Sequence, residues 1–95
     1  MGTAQIEPGT TLRRAERAVH GDLPEETVLL DVEDGVAVRL NSSGAFLWAR
    51  LEEPVTVADL ARALAERFEI SEEQALGDTI AFAREMLRRE LLAVS

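Results

Sequence analysis

Residues 28–48 read VLLDVEDGVAVRLNSSGAFLW, and this stretch decides the fold. Apolar residues alternate with other residues on both sides of Asp34-Gly35, a pattern typical of two antiparallel strands joined by a tight turn. A two-residue loop would place apolar and charged residues on the same face, whereas a three-residue loop, 33–35, places six apolar residues together. We therefore predict the longer loop, with Gly35 at its positive-φ position. The predicted cross-strand pairs are Val32–Val36, Leu30–Val38 and Val28–Leu40.

Three helices are expected after this hairpin. Asn41 or Ser42 can cap the first helix, Thr56 the second and Ser71 the third, because each side chain can accept a hydrogen bond from an unpaired backbone amide. The third helix is expected to continue to about Arg89, whose charge suits the negative end of a helix.

The third helix carries two apolar stripes that lie about 100° apart around its axis. Both stripes can fill the core, or the second can line a groove that a partner occupies. We predict a core role for the first stripe and a position beside the hairpin's second strand for Phe82 and Met86. The first stripe is Leu76, Ile80, Ala83 and Leu87, and the second is Ala75, Thr79, Phe82 and Met86.

The two ends of the chain are less clearly patterned. Residues 1–10 contain little apolar surface, which predicts a flexible tail and a single domain over 11–95. Residues 11–19 mildly favour a helix, because apolar residues recur at helical spacing. The short apolar segment 91–94 is expected to dock on the domain.

Composition limits the possible functions. The chain has 95 residues, eighteen acidic residues, ten basic residues, no cysteine and a formal net charge of −8. This balance disfavours nucleic acid as a partner, and no apolar run is long enough to cross a membrane. The start of the chain lacks the apolar region of a signal peptide, so we expect a soluble, cytoplasmic protein.

No group suited to catalysis stands out. The acid pairs lie in turns, loops or helix starts, where carboxylates are solvated or favour the helix dipole. The single histidine, His20, cannot form a multi-histidine metal site. We therefore predict no catalytic residue, no metal and no cofactor.

The order of these elements resembles the PqqD family of pyrroloquinoline-quinone biosynthesis. The resemblance lies in strand, turn, strand, then L-N-x-x-G-x-x-x-W at residues 40–48, followed by T-V-x-x-L at residues 56–60. It continues to Leu91-Leu92, which matches the family's closing Gly-Leu-Leu, although Glu90 stands where the glycine usually does. The chain is most similar to the stand-alone leader-binding proteins of lasso-peptide biosynthesis.

That resemblance implies an α+β, winged-helix-like fold in which a three-stranded antiparallel sheet packs on three helices. It also implies that residues 12–19 form a strand, against their local helical pattern. The family is known as the RiPP recognition element, for ribosomally made and post-translationally modified peptides. Its members bind the leader of a precursor peptide and pass it to a processing enzyme. Here that enzyme would be a leader protease of the transglutaminase-like type, together with a cyclase.

The resemblance also implies the binding residues. The leader would add as a strand to the sheet edge and pack on the third helix. The chain departs from the family at the edge, which often carries aromatic residues where Val36 and Ala37 stand here. The implied peptide-binding residues are Gly35, Val36, Ala37, Val38, Arg39, Leu40, Ala75, Asp78, Thr79, Phe82 and Met86.

Two other classes of function remain open on the sequence. A winged-helix DNA-binding regulator would need a basic recognition helix, but the second and third helices carry several acidic residues. A small enzyme would need a reactive pair of side chains, and none is evident.

Overall fold

The computed structural model describes residues 6–15, 18–22, 27–31 and 36–95, with side chains described for 6–15 and 39–95. Within these residues the chain forms strands and helices in the order β1, β2, β3, β4, α1, β5, α2, α3 and β6. The strands are β1 Thr11–Arg14, β2 Ala18–Asp22, β3 Thr27–Asp31, β4 Val36–Leu40, β5 Val55–Thr56 and β6 Leu92–Val94. The helices are α1 Ser42–Arg50, α2 Val57–Phe68 and α3 Glu72–Arg88.

The strands form two small antiparallel sheets. One has the order β2-β3-β4, and the other has the order β5-β1-β6. The first sheet and the three helices confirm the predicted α+β class. Strands β1 and β2 show extended chain where the local pattern favoured a helix. The resemblance implied one strand over 12–19, whereas the structure has two strands that belong to different sheets. Pairing of β1 with β5 and β6 supplies backbone hydrogen bonds that a weak local preference cannot outweigh.

The predicted hairpin register is wrong by one residue. Asp31 pairs with Val36, Leu30 with Ala37 and Leu29 with Val38, so the connection is 32–35 and has four residues. The prediction assumed that all apolar residues share one face. In the observed register, apolar pairs occur on both faces of the β3–β4 hairpin: Leu30–Ala37 on one face and Leu29–Val38 on the other. When both faces carry apolar residues, their alternation specifies the register only weakly. The turn itself, with Gly35, lies outside the described residues.

The predicted helix caps are confirmed. Asn41 caps α1, where its Oδ1 accepts a hydrogen bond of 2.8 Å from the amide of Gly44. The hydroxyl of Thr56 accepts one from the amide of Asp59 at the start of α2. The hydroxyl of Ser71 accepts one from the amide of Gln74 at the start of α3. Each cap pairs one of the amides that a helix start leaves without a partner.

The core lies among the three helices and the β5-β1-β6 sheet. Trp48 is buried, and the guanidinium of Arg14 lies 4.5 Å from the centre of its ring. An edge-to-face contact between Phe46 and Phe68, with ring centres 5.9 Å apart, joins α1 to α2. The large, fully buried side chains of this core are Leu12, Leu47, Trp48, Leu51, Val57, Leu60, Leu64 and Leu91.

The core stripe of α3 differs from the prediction. Ala83 is buried as expected, but Leu76, Ile80 and Leu87 are only half-buried. The residues of α3 that are buried are Ala75, Thr79, Ala83 and Met86. Small side chains allow a neighbouring helix to approach closely, and α3 packs mainly on α2. The prediction rested on helical spacing, which shows that the two stripes adjoin but not which of them the neighbouring elements cover.

Both ends of the described chain are tied to the domain. The amide of Ala58 donates to the carbonyl of Pro8, and the amide of Val57 donates to that of Thr10. Residues 8 and 10 are therefore hydrogen-bonded to the start of α2, within the segment 1–10 for which the sequence predicts a flexible tail; residues 1–5 lie outside the described part. At the other end β6 pairs with β1, which confirms that the apolar segment after α3 docks.

Candidate functional site

A groove opens between α3, the end of β4 and the start of α1. Its volume is about 530 Å³. Apolar side chains and charged side chains both line it, so it can accept a partner that carries both. The lining residues are Arg39, Leu40, Asn41, Ser43, Gly44, Leu47, Asp78, Ala81, Phe82, Glu85, Met86 and Arg89.

The β4–α1 side of the groove is built by the motif that begins at Leu40. Leu40 is buried and joins the core, while Asn41 caps α1. Gly44 lets the side chains of Asn41 and Leu40 approach the first turn of α1 closely, because a Cβ at this position would lie 3.3 Å from the Asn41 Oδ1 and 3.5 Å from side-chain atoms of Leu40. The close packing of these three residues at the β4–α1 junction therefore determines the position of this edge of the groove.

Helix α3 forms the opposite side. Phe82 is half-buried and Ala81 is exposed, while Met86 is only 3% exposed and closes the bottom of the groove. Phe82 and Met86 lie one helical turn apart, so both contribute to the same apolar surface. A flexible thioether beside an aromatic ring suits a surface that adapts to an incoming apolar side chain.

Strand β4 is an edge strand of its sheet. Its described pairing partner is β3 alone, because the order of that sheet is β2-β3-β4. An edge strand has backbone N–H and C=O groups on one side that no neighbouring strand uses. These groups run along β4 to Arg39 and Leu40, which also line the groove. Backbone hydrogen-bonding capacity and an apolar groove thus lie next to each other.

One ion-pair network occupies part of the groove. The carboxylate of Glu85 accepts hydrogen bonds of 2.6 Å from both Arg88 and Arg89. Hydrogen bonding to Arg88, and then to Arg89, holds the pKa of the Glu85 carboxyl below its ordinary value. The lowered pKa favours the ionised form of Glu85, whose charge is paired with two arginines at the end of its own helix.

The structure brings together five of the predicted site residues: Arg39, Leu40, Asp78, Phe82 and Met86 all line the groove. Ala75 and Thr79 are fully buried and lie outside its lining, so they have no exposed surface for a peptide to contact. The backbone of 36–38 belongs to β4. Gly35 lies outside the described residues.

Sequence reasoning missed the other lining residues. The sequence predicts Asn41, Ser43, Gly44 and Leu47 as parts of a helix and its cap, and it predicts no role for Ala81. Glu85 is the exception, because its spacing from Asp78 on the third helix already predicts a position near the groove. The contribution of the others depends on α1 and α3 approaching each other, which no local pattern encodes. The periodicity of α3 offers a partial signal, because Ala81 and Glu85 adjoin Phe82 and Met86 on the helix surface.

The described residues contain no cluster of three or more side chains that could hold a metal ion. In the same part of the chain, no helix has the length and apolarity needed to cross a membrane. What the site combines is an open sheet edge and an adjoining groove, the arrangement of a domain that binds an extended peptide.

Comparison with known proteins identifies the family. The family model described as coenzyme PQQ synthesis protein D (PqqD) matches residues 26–92, so the chain belongs to the PqqD family. A comparison with curated proteins finds no match.

Solved structures share the fold. One, described as TbiB1 in complex with the TbiA(beta) leader peptide, is 24% identical with a TM-score of 0.78, and the match covers 84% of this chain and 93% of that one. A second, described as lasso peptide synthetase B1 complexed with the leader peptide, is 23% identical with a TM-score of 0.77, covering 86% of this chain and 96% of that one. A third is the tRNA-dependent lantibiotic dehydratase MibB from Microbispora sp. 107891, at 22% identity and a TM-score of 0.62. That match covers 92% of this chain but only 8% of the dehydratase.

Proposed function

We propose that this protein is a RiPP recognition element that binds the leader segment of a precursor peptide. The leader adds as a strand along β4 and places an apolar side chain on Phe82 and Met86. The observation that carries this proposal is the continuity between the open edge of β4 and the groove beside α3. The family and the two leader-bound structures of the same fold support it.

The energetics of this mode are adequate for specific binding. An added strand forms about four to six backbone hydrogen bonds, each with a net value of about 1 kcal/mol, and ordering the peptide offsets part of this gain. Each buried apolar side chain adds about 1.5–3 kcal/mol. Two or three such side chains bring the affinity to about the micromolar range.

The protein acts as an adaptor and not as an enzyme. It presents the bound leader to a leader protease of the transglutaminase-like type, and to a cyclase, in the biosynthesis of a lasso peptide or a related product. The chain has no cysteine nucleophile and a single histidine, which agrees with a binding role. We place this activity in the cytoplasm.

A titration tests the proposal. The precursor peptide encoded nearest to this gene is divided into its leader and core halves, and each half is titrated calorimetrically into the protein. We expect micromolar or tighter binding of the leader and none of the core. Binding of neither half, or equal binding of both, contradicts the proposal.

Two alanine-to-leucine variants locate the site. Ala81 is exposed in the groove, whereas Ala49 is exposed on α1 outside the groove lining. Ala81→Leu fills the groove and is expected to weaken leader binding about tenfold or more, because the added side chain takes the place of the leader's apolar anchor. Ala49→Leu adds the same surface elsewhere and should leave the affinity unchanged. Equal effects of the two variants would place the leader outside the groove.

A further inference from the structure

The groove contains one charged side chain without an ion-pair partner in the described part of the chain, and it is Asp78. The charged residues of the lining are Arg39, Asp78, Glu85 and Arg89. Glu85 and Arg89 pair with each other at 2.6 Å, and Arg39 also has an interaction partner. Asp78 is exposed, and no described residue forms a hydrogen bond or ion pair with its carboxylate.

The position of Asp78 relative to the apolar surface is set by the helix. It precedes Phe82 by four residues, which places it about 6 Å further along the axis of α3. Alternate residues of an extended peptide lie on the same side and are about 6.6–6.8 Å apart. In a leader that runs along α3 and contacts Phe82 with one side chain, the side chain two residues away lies within reach of Asp78.

On the basis of the proposed function, we propose that Asp78 selects leaders that carry Lys or Arg two residues from the apolar side chain on Phe82. A carboxylate at the margin of a partly apolar groove attracts such a cation and repels an acidic residue at the same position. Glu85, at the other end of the groove side of α3, is paired with both Arg88 and Arg89. The acidic group of the lining that is left for a leader cation is therefore Asp78.

A double-mutant cycle tests this selection. The leader half of the neighbouring precursor is the probe, and each of its Lys and Arg residues is replaced in turn by Gln. Asp78→Asn is expected to weaken binding of the unmodified leader about two- to fivefold, which lies within the range of exposed ion pairs. With one of these leader variants, Asp78→Asn should cause no further loss of affinity. The Lys or Arg replaced in that leader is then the cation that pairs with Asp78. Glu66→Gln, which removes one exposed charge from α2 outside the groove, controls for net charge and should leave the affinity unchanged.

The spacing provides a second and independent test. Replacing the leader's apolar residues in turn by Ala, against Phe82→Ala, identifies the residue that contacts Phe82. We expect it to lie two positions from the cation that couples to Asp78. Leader binding that is unaffected by Asp78→Asn, or a coupled cation at any other spacing, overturns the inference and leaves the proposed function intact. Failure of the leader to bind the unmodified protein overturns both.

Discussion

Leu40, Asn41, Gly44 and Trp48 are the four defined positions of the motif at residues 40–48, and each has a structural role. Leu40 and Trp48 are buried, Asn41 caps α1, and Gly44 leaves room for that cap. None of these residues requires a catalytic explanation. The motif matters for function because it sets the angle at which β4 enters α1, and with it one side of the groove.

Thr79 is the residue whose environment most clearly predicts a stability effect. Its hydroxyl is fully buried and has no hydrogen-bond partner among the described residues. Thr79→Val replaces this hydroxyl by a methyl group of nearly the same shape, so we expect the free energy of unfolding to rise by about 1 kcal/mol. Urea denaturation measures the change. Thr79→Ser keeps the hydroxyl, removes the methyl group and should be destabilising. A loss of stability in Thr79→Val would show that the hydroxyl is satisfied.

Two glutamates adopt left-handed backbone conformations that favour glycine. Glu69 ends α2 with φ 55°, and Glu90 follows α3 with φ 61°. The amide of Glu90 donates to the carbonyl of Leu87 and that of Leu91 to Met86, which is the Schellman arrangement. A glycine fits the Glu90 position without strain, which explains the closing Gly-Leu-Leu of the family.

Glu69→Gly tests the cost of the left-handed conformation. Glycine adopts the left-handed conformation without the steric cost of an L-residue, which stabilises the folded state by about 1–2 kcal/mol. The greater freedom of glycine in the unfolded chain offsets up to about 1 kcal/mol of this stabilisation. We expect a net increase in stability of about 0.5–1 kcal/mol, measured by thermal unfolding. Glu66→Gly, an exposed position one turn earlier inside α2, is the matched control and should lose about 1 kcal/mol. Loss of stability in both variants would contradict the strain argument.

At the scale of elements, β4 decides whether a peptide can add to the sheet. Neighbouring residues of an antiparallel edge strand direct their amides alternately to the adjacent strand and away from the sheet. Proline lacks this amide, so Ala37→Pro and Val38→Pro should have different effects. We expect one variant to retain the fold and lose leader binding, and the other to lose stability through the β3–β4 pairing. Circular dichroism and leader titration distinguish the two outcomes. Full affinity in both folded variants would exclude strand addition at β4.

Helix α3 shows how one element can serve both core and groove. Ala75, Thr79 and Ala83 form its buried face, while Phe82 and Asp78 lie on the groove side. The sequence indicated the breadth of the apolar sector correctly. It could not indicate which edge of that sector the other elements cover, because this depends on the approach of α2.

At the scale of the whole molecule, net charge affects stability. With a formal net charge of −8, like charges repel more strongly in the folded state than in the expanded chain. Raising sodium chloride from about 10 mM to about 200 mM shortens the screening length to about 7 Å and should raise Tm by a few degrees. Glu53→Gln, an exposed loop position, removes one negative charge and should reduce this salt dependence. A Tm that falls with added salt would show that attractive pairs such as Glu85–Arg88 dominate instead.

The sequence by itself determined the helices, their caps, the hairpin and the family. Caps and helical periodicity depend on residues a few positions apart, so Asn41, Thr56 and Ser71 could be assigned from the sequence alone. Only the tertiary structure decided the hairpin register, the pairing of β1 with β5 and β6, and which side of α3 is buried. Each of these depends on contacts between residues far apart in the chain, and several arrangements satisfy the local pattern almost equally well. The groove is of this kind, because its sides meet only when β4, α1 and α3 pack together.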